Sequence, residues 1–315
     1  MKPRGGFVLI AALWIVVAVT AIELHIATQT RADRLAVANS LESSRALAAA
    51  EAGVELARSR LHGNLRESAL PAGAAVLEFL GARSARSEVA AASLHIGSAR
   101  FAFRLRDTGE SLNLNHADEE QLRRFLQGLR IDWGLADRIA QATIDWRDPD
   151  SAHRPRGAER DAYLRLGALA LPANEPFGDV AEFRHIMGVT PEIYELARPY
   201  LTVDGPGLID INTAPEPVLL SLPGITREAA AVLIERQSAG YPVRTVQELS
   251  DLLPPIARQV FLPEIPQFIQ LATFHPVELI VESVGWVEGS PIRVHITAQL
   301  LPAGRTVLVP WRRIH

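Results

Sequence analysis

The sequence predicts an α+β chain: a long N-terminal helix packed on an antiparallel sheet, with a large all-α domain inserted into that sheet. Three observations lead there. An uncharged apolar run near the N-terminus passes into a helical stripe. Apolar residues alternate with polar ones around 101–105 and again after 277. The stretch between reads as helical. These set the expected organisation: a leader over 1–6, a membrane half-helix over 7–24, the rest of that helix with the first strand or strands over 25–110, the inserted helical domain over 111–265, and C-terminal antiparallel strands over 266–315.

The leader carries Lys2 and Arg4 and ends in Gly5-Gly6. The run over 7–22, with Leu9, Leu13, Trp14, Ile15, Val16 and Val19, lies at the lower edge of the roughly 17–25 apolar residues that cross a bilayer. Two positive charges ahead of it favour a cytoplasmic N-terminus. A secretory signal places its small residues after the apolar run. Here the glycine pair comes first, an order that resembles type IV prepilins, which a peptidase cuts on the cytoplasmic side.

Over 28–61 there is no proline, and Gly53 is the only glycine. Leu47, Ala50, Val54, Ala57 and Leu61 recur at three- and four-residue steps and mark one apolar face, with Arg45, Glu51, Glu55 and Arg58 off it. A loop is expected over 71–81. Phe101, Phe103 and Leu105 then alternate with Arg100, Ala102, Arg104 and Arg106. Near the C-terminus the alternation returns at Val277, Leu279 and Val281, at Ile292, Val294, Ile296 and Ala298, and at Val307 and Val309. Glu288-Gly289-Ser290 and Pro302-Ala303-Gly304 supply turns between these pieces.

Composition narrows the function. The chain has no cysteine, so a disulfide, a thiolate metal site and a thiol nucleophile are all excluded. A formal net charge of −4 gives no global basic field for nucleic acid. Neither a Gly-x-Ser-x-Gly elbow, a His-Glu-x-x-His pair nor a Gly-rich phosphate loop is present. Nothing in the sequence argues for an enzyme.

The insertion contains an internal repeat. Leu112-Asn113-Leu114-Asn115-His116-Ala117 resembles Ile209-Asp210-Ile211-Asn212-Thr213-Ala214, and Leu122 and Leu219 fall in matching places of the helices that follow. In the second copy Thr213 and Glu216 have the spacing of a capping box. Leu222-Pro223-Gly224-Ile225-Thr226 then reads as a hairpin before a helix over 228–237, the form of a helix-hairpin-helix. Such hairpins often approach a nucleic-acid backbone, but Arg227 and Arg236 are the only cations close by and Glu228 and Glu235 balance them. Phosphate binding needs clustered cations, so a packing module is expected and nucleic acid is not.

Between the copies lies an acidic segment, Ile144-Asp145-Trp146-Arg147-Asp148-Pro149-Asp150, leading to Gly157-Ala158-Glu159-Arg160-Asp161. Calcium is a hard cation that takes six to eight oxygen ligands, and carboxylates along a flexible loop supply them. The spacing is not that of an EF-hand. Arg147, Arg154, Arg156 and Arg160 offer the alternative of ion pairs in a solvated loop.

Taken in order, several blocks resemble general secretion pathway protein K, the large minor pseudopilin of type II secretion. They are Gly6-Phe7, Leu112-Asn113-Leu114-Asn115, the segment over 145–163, the segments over 182–191 and 198–203, and Ile211-Asn212-Thr213-Ala214. Most pilins carry glutamate at the fifth mature position; here, counting from Phe7, that position is Ala11, and the K family characteristically lacks the acid. The resemblance implies a pseudopilin fold and a non-enzymatic role at the tip of a pseudopilus. It implies cleavage after Gly6 by a prepilin peptidase, methylation of the Phe7 amine, an inner-membrane anchor with a periplasmic domain, and assembly with the I and J minor pseudopilins. It also implies calcium in the soluble part, carried here onto Asp145, Asp148, Asp150, Glu159 and Asp161. Arg160 departs from the family, which more often has an acid there. The competing readings are a minor pilin of a type IV pilus and a membrane-tethered DNA receptor.

Overall fold

The structure is a computed structural model that describes residues 5–84 and 94–315. The leader positions 1–4 lie outside the described residues. Gly6 and Phe7 fall in the first turns of helix α1, and nothing of their side chains is described.

Helix α1 runs unbroken over Gly5–Glu67. At 1.5 Å per residue it is roughly 95 Å long, more than twice the thickness of a bilayer with its headgroups. Its two halves differ in what covers them. Leu13, Trp14, Ile15, Val16 and Ile22 are all more than half exposed, and it is the one described helix long and apolar enough to cross a membrane. From Ala46 onward one face is sealed: Ala46, Ala49, Ala50, Val54, Ala57, Leu61 and Leu65 are buried. The stripe read from the sequence is this face, with Leu47 half-buried at its margin.

The segment expected as a loop over 71–81 is instead helix α2, Ala72–Ser84. Pro71 and two glycines read as breakers. However, a proline just ahead of a first turn gives up no helical hydrogen bond, and its carbonyl accepts from Ala75 N at 3.0 Å. Ala75 and Val76 are fully buried beside α1, and that packing outweighs the glycine propensity.

Strands β1 (Leu94–Ile96) and β2 (Ala99–Asp107) open the sheet. The chain then leaves it for the helical unit and returns as β7 (Leu279–Val287), β8 (Arg293–Ala303), β9 (Thr306–Leu308) and β10 (Arg312–Ile314). All pairings are antiparallel, in the order β1-β2-β7-β8-β10, with β9 on the far end of β8. On β8, Val294, Ile296, Ala298 and Leu300 turn inward while Arg293 and His295 are exposed. The alternation fails at the start of β7, where Leu279, Ile280 and Val281 are all buried.

The helical unit is built from two copies of one design. The first contains β3 (Leu112–Asn113), α3 (Glu119–Gly128), α4 (Trp133–Arg147), α5 (Arg160–Arg165), α6 (Pro191–Ala197) and β4 (Leu201–Thr202). The second contains β5 (Ile209–Asp210), α7 (Glu216–Leu219), α8 (Arg227–Ala239), α9 (Val246–Leu252), α10 (Pro255–Phe261), α11 (Ile265–Leu271) and β6 (Ala272–Thr273). Each copy closes on itself by a two-residue parallel pair, β3 with β4 and β5 with β6. Helix therefore continues past the expected boundary at 265. Phe268 of α11 is fully buried against Phe261, ring centroids 5.0 Å apart, and belongs to the helical core. Among the described residues, that core and the one beneath α1 and the sheet are separate clusters.

The tightest contact between layers is glycine-mediated. A Cβ on Gly285 of β7 would lie 2.1 Å from Ala46 O and 2.4 Å from Ala50 N, and one on Gly53 of α1 would lie 2.1 Å from Ser283 Oγ. Gly285→Ala is expected to lower stability by about 1–3 kcal/mol through overpacking. Gly63→Ala, where no atom lies within 4 Å, is expected to raise it by roughly 0.5–1 kcal/mol, since glycine costs that much inside a helix. Urea unfolding of the two variants checks both signs.

Candidate cation site in the first helical repeat

The two copies share a backbone lock. In the first, Asn115 donates Nδ2 to Phe177 O at 3.0 Å and accepts from Phe177 N at 2.7 Å. In the second, Asn212 does the same with Val243, at 2.8 and 2.7 Å. The carbonyls of Leu114 and Ala117 receive the Arg147 guanidinium, and those of Ile211 and Ala214 receive the Gln237 amide. Burial lowers the Arg147 pKa to about 10.

What differs is the link. The second copy passes from α8 to Val243 through a short turn beginning at Gly240, whose φ is +73°. The first passes from α4 to Phe177 through residues 148–176, and this extra segment carries the acids.

Asp145, fully buried near the end of α4, accepts from Arg154 N at 3.1 Å and from Arg154 Nη1 at 2.6 Å. Asp148 caps α4 with its backbone, and its Oδ2 takes the same Nη1 at 2.6 Å. Its Oδ1 is buried with no donor. Glu159 stands ahead of α5, 7% exposed, with neither carboxylate oxygen hydrogen-bonded. One ligand oxygen each from Asp148, Asp150 and Glu159 lies within 4.8 Å of the others. Gly157 packs closely on Asp145, and a Cβ there would meet Asp145 Oδ2 at 2.0 Å, so any other residue would have to displace that carboxylate.

Of the five residues picked from the sequence, the fold thus gathers Asp148, Asp150 and Glu159. Asp145 lies behind them, joined through Arg154. Asp161 is exposed in the first turn of α5, outside the group, as is Arg160. Sequence reasoning offered Arg154 only as a generic ion-pair partner. Its particular role, one guanidinium nitrogen bridging two carboxylates while the rest stay open, depends on the loop folding back. Burial raises the Glu159 pKa, and Asp145, Asp148 and Asp150 raise it further. A buried carboxylate without donors among like charges is costly while ionised, and either a proton or a cation relieves that cost. Beneath it, Trp146 and Tyr163 meet edge to face at 5.4 Å, and Tyr163 OH accepts from Met187 N at 2.9 Å.

The helix-hairpin-helix reading is corrected in one detail. Thr213 does not cap α7; the N-cap is Pro215, with no side-chain bond, and Thr213 Oγ1 donates to Asp107 at 2.7 Å. The reciprocal capping box occurs in the first copy, between Asp118 and Gln121. Thr226 caps α8, Arg227 pairs with Glu216 at 3.1 Å, and Arg236 pairs with Glu248 at 3.4 Å.

Residues 102–205 match the family model described as type II secretion system (T2SS), protein K. Over that stretch the chain is similar to the type II secretion protein K family. It is 32% identical over 142 residues to type II secretion system protein K of Pectobacterium carotovorum subsp. carotovorum, covering 42% of this chain and 43% of that protein. It is 38% identical over 68 residues to the Dickeya chrysanthemi protein of the same name, covering 22% and 18%. The chain thus spans less than half the length of the curated relatives it matches. Its fold matches a chain in the crystal structure of the GspK-GspI-GspJ complex of the enterotoxigenic Escherichia coli type 2 secretion system, with a TM-score of 0.56 at 18% identity, over 77% of this chain and 94% of that one. The α+β pseudopilin fold with a helical insert is therefore the fold of this protein.

Replacing Arg154 with Met removes the guanidinium that Asp145 and Asp148 share and is expected to cost about 1–3 kcal/mol. The same substitution at exposed Arg160 is expected to change stability by less than about 0.5 kcal/mol. Chemical denaturation of the two variants tests the contrast.

Proposed function

We propose that the protein is a non-enzymatic minor pseudopilin at the tip of a type II secretion pseudopilus, anchored in the inner membrane with its folded part in the periplasm. The observation that carries this reading is the division of α1. A single helix exposes an apolar run over residues 12–22 and is sealed against a sheet from Ala46 onward, in a chain whose residues 102–205 match the protein K family model. An exposed apolar face of that length is unfavourable in water and is satisfied in lipid or against the helices of like subunits. The I and J minor pseudopilins are the proposed partners, on the strength of the fold match to the GspK-GspI-GspJ complex. In the proposed maturation, a prepilin peptidase cuts after Gly6 and the Phe7 amine is methylated. The helical unit would stand above the sheet and prevent further subunits from stacking. No bond chemistry is required of the protein in this role.

The proposed cofactor is calcium, held by Asp148, Asp150 and Glu159. The unpartnered oxygens of Glu159 and Asp148 Oδ1 fit a hard cation, and carbonyls or water would complete six to eight oxygens. When bound, the ion would neutralise the acidic loop and tie the end of α4 to the start of α5. Arg154 would position Asp148 by occupying only one of its oxygens.

Two measurements test these readings separately. Intact mass of the membrane-extracted protein should fall by residues 1–6 only when the peptidase is present; an uncut chain would sink the pseudopilin maturation. Calcium should raise the melting temperature of the wild type and leave Glu159→Gln unmoved. The effect should grow as pH rises through the raised range of Glu159, because a proton there competes with the ion. Equal stabilisation of both proteins would place the ion elsewhere.

A further inference from the structure

The chain crosses between its two units twice, and a buried acid stands at each crossing. Asp107 ends β2 on the way out; Glu278 immediately precedes β7 on the way back. Thr108 joins the crossings, donating N–H and Oγ1 to Glu278 O at 3.1 and 3.2 Å. Asp210 of the second helical repeat reaches into the same seam, and a Cβ on Gly109 would lie 2.8 Å from Asp210 N. Asp107 is 2% exposed, Asp210 0% and Glu278 6%. No ion pair among the described residues includes any of the three.

Asp107 is well supplied with donors: Gly109 N reaches Oδ1 at 3.0 Å and Thr213 Oγ1 reaches Oδ2 at 2.7 Å. Asp210 is not. Asn212 N donates to its Oδ1 at 2.9 Å, but Oδ2 is buried without a donor and neighbours the Asp107 carboxylate. A hydrogen bond between the two carboxyls exists only if one carries a proton. The first repeat shows what this position does with a donor of its own. There Asn113 gives its Nδ2 to the carbonyls of Asp204 and Gly205, both at 2.9 Å. Aspartate matches that amide only when protonated.

We propose that Asp107 and Asp210 share one proton, and that this pair is a pH-sensitive latch between the sheet and the helical unit. The latch is closed while the proton is held and loosened when it is lost. The groups facing it favour retention. Glu278 and Glu110 add negative charge, as does Asp204 beyond Glu278, while Arg106 is engaged with Glu110 and Glu282, and Arg313 with Asp204. His275, after β6, opposes them by lowering the Asp107 pKa. Burial raises both members, Asp210 well above the usual range, with Asp107 as its second cause. A carboxyl raised in the folded state stabilises the closed form at low pH. That stability declines as pH rises from the ordinary carboxyl range, about 4, to the folded value, and is constant above it.

Infrared spectroscopy of the full chain in detergent tests the shared proton. The wild type should show the carbonyl stretch of a protonated carboxylic acid at neutral pH, ionising only on going alkaline, and Asp210→Asn should lack it. A wild type without that band overturns the proposal. Amide exchange at Gly109 and Ile211, corrected for the intrinsic rate, tests the latch. Opening should rise up to ten-fold per pH unit in the wild type until the band is lost, one proton being released, and stay flat in Asp210→Asn. Equally flat profiles overturn it. Should Asp210→Asn not fold, Thr213→Val serves instead: removing a donor to ionised Asp107 must move the loss of the band to higher pH, and an unmoved band overturns the proposal.

Discussion

Helix α1 can lie on β7 only because, at each of the two closest contacts, one of the surfaces is a glycine without a side chain. Gly285 admits the backbone of Ala46 and Ala50, and Gly53 admits Ser283. Along this face the small residues Ala46, Ala49, Ala50 and Ala57 are fully buried, and the larger Val54, Leu61 and Leu65 join the same core. Everything else is hung from this contact. β7 sits between β2 and β8, so fixing it against the helix fixes the sheet. The helical unit leaves from the paired ends of β2 and β7, where Asp107 lies opposite Leu279. It occupies the place of a hairpin turn, and the register of that pair brings its two ends together at little added entropic cost.

The helical unit solves a different problem. Most of its helices have seven residues or fewer and its strands are two residues long, so long stretches of its backbone lie outside regular structure. Half-buried asparagines pair part of it, Asn115 and Asn212 each serving a remote peptide group as both donor and acceptor. A carboxylate offers only acceptors and a hydroxyl is too short, which is why asparagine stands at both positions. The first copy tolerates a long excursion after α4 because the lock at Phe177 restores the path afterwards. The acidic loop is thus an addition to a frame already closed.

Much of this was legible in the chain. The apolar run, the stripe from Ala50 to Leu61, the alternation on β2 and β8, and the repeat around Asn115 and Asn212 are periodic or duplicated signals that survive folding unchanged. The misreadings were local. Pro71 and Gly73 look like loop residues, yet Gly73 lies at the start of α2, where a Cβ would strike the His275 ring. Thr213 has the spacing of a cap, but buried Asp107 claims its hydroxyl. In both cases a contact from far along the chain overrode a correct local preference.

The same division holds for the acids. Sequence by itself determined that carboxylates crowd residues 145–161, because their number and the proline and glycine between them are compositional facts. Which of them stay open was decided by tertiary structure. Arg154 turns back onto Asp145 and Asp148, Glu159 is buried without a donor, and Asp161 is left in solvent. Likewise the sequence marked Asp210 as the counterpart of Asn113, but only the fold placed Asp107 against it. A residue's chemistry is local to the chain. Its protonation, partners and availability follow from what lies within a few ångströms in space, and those neighbours come from elements the sequence keeps far apart.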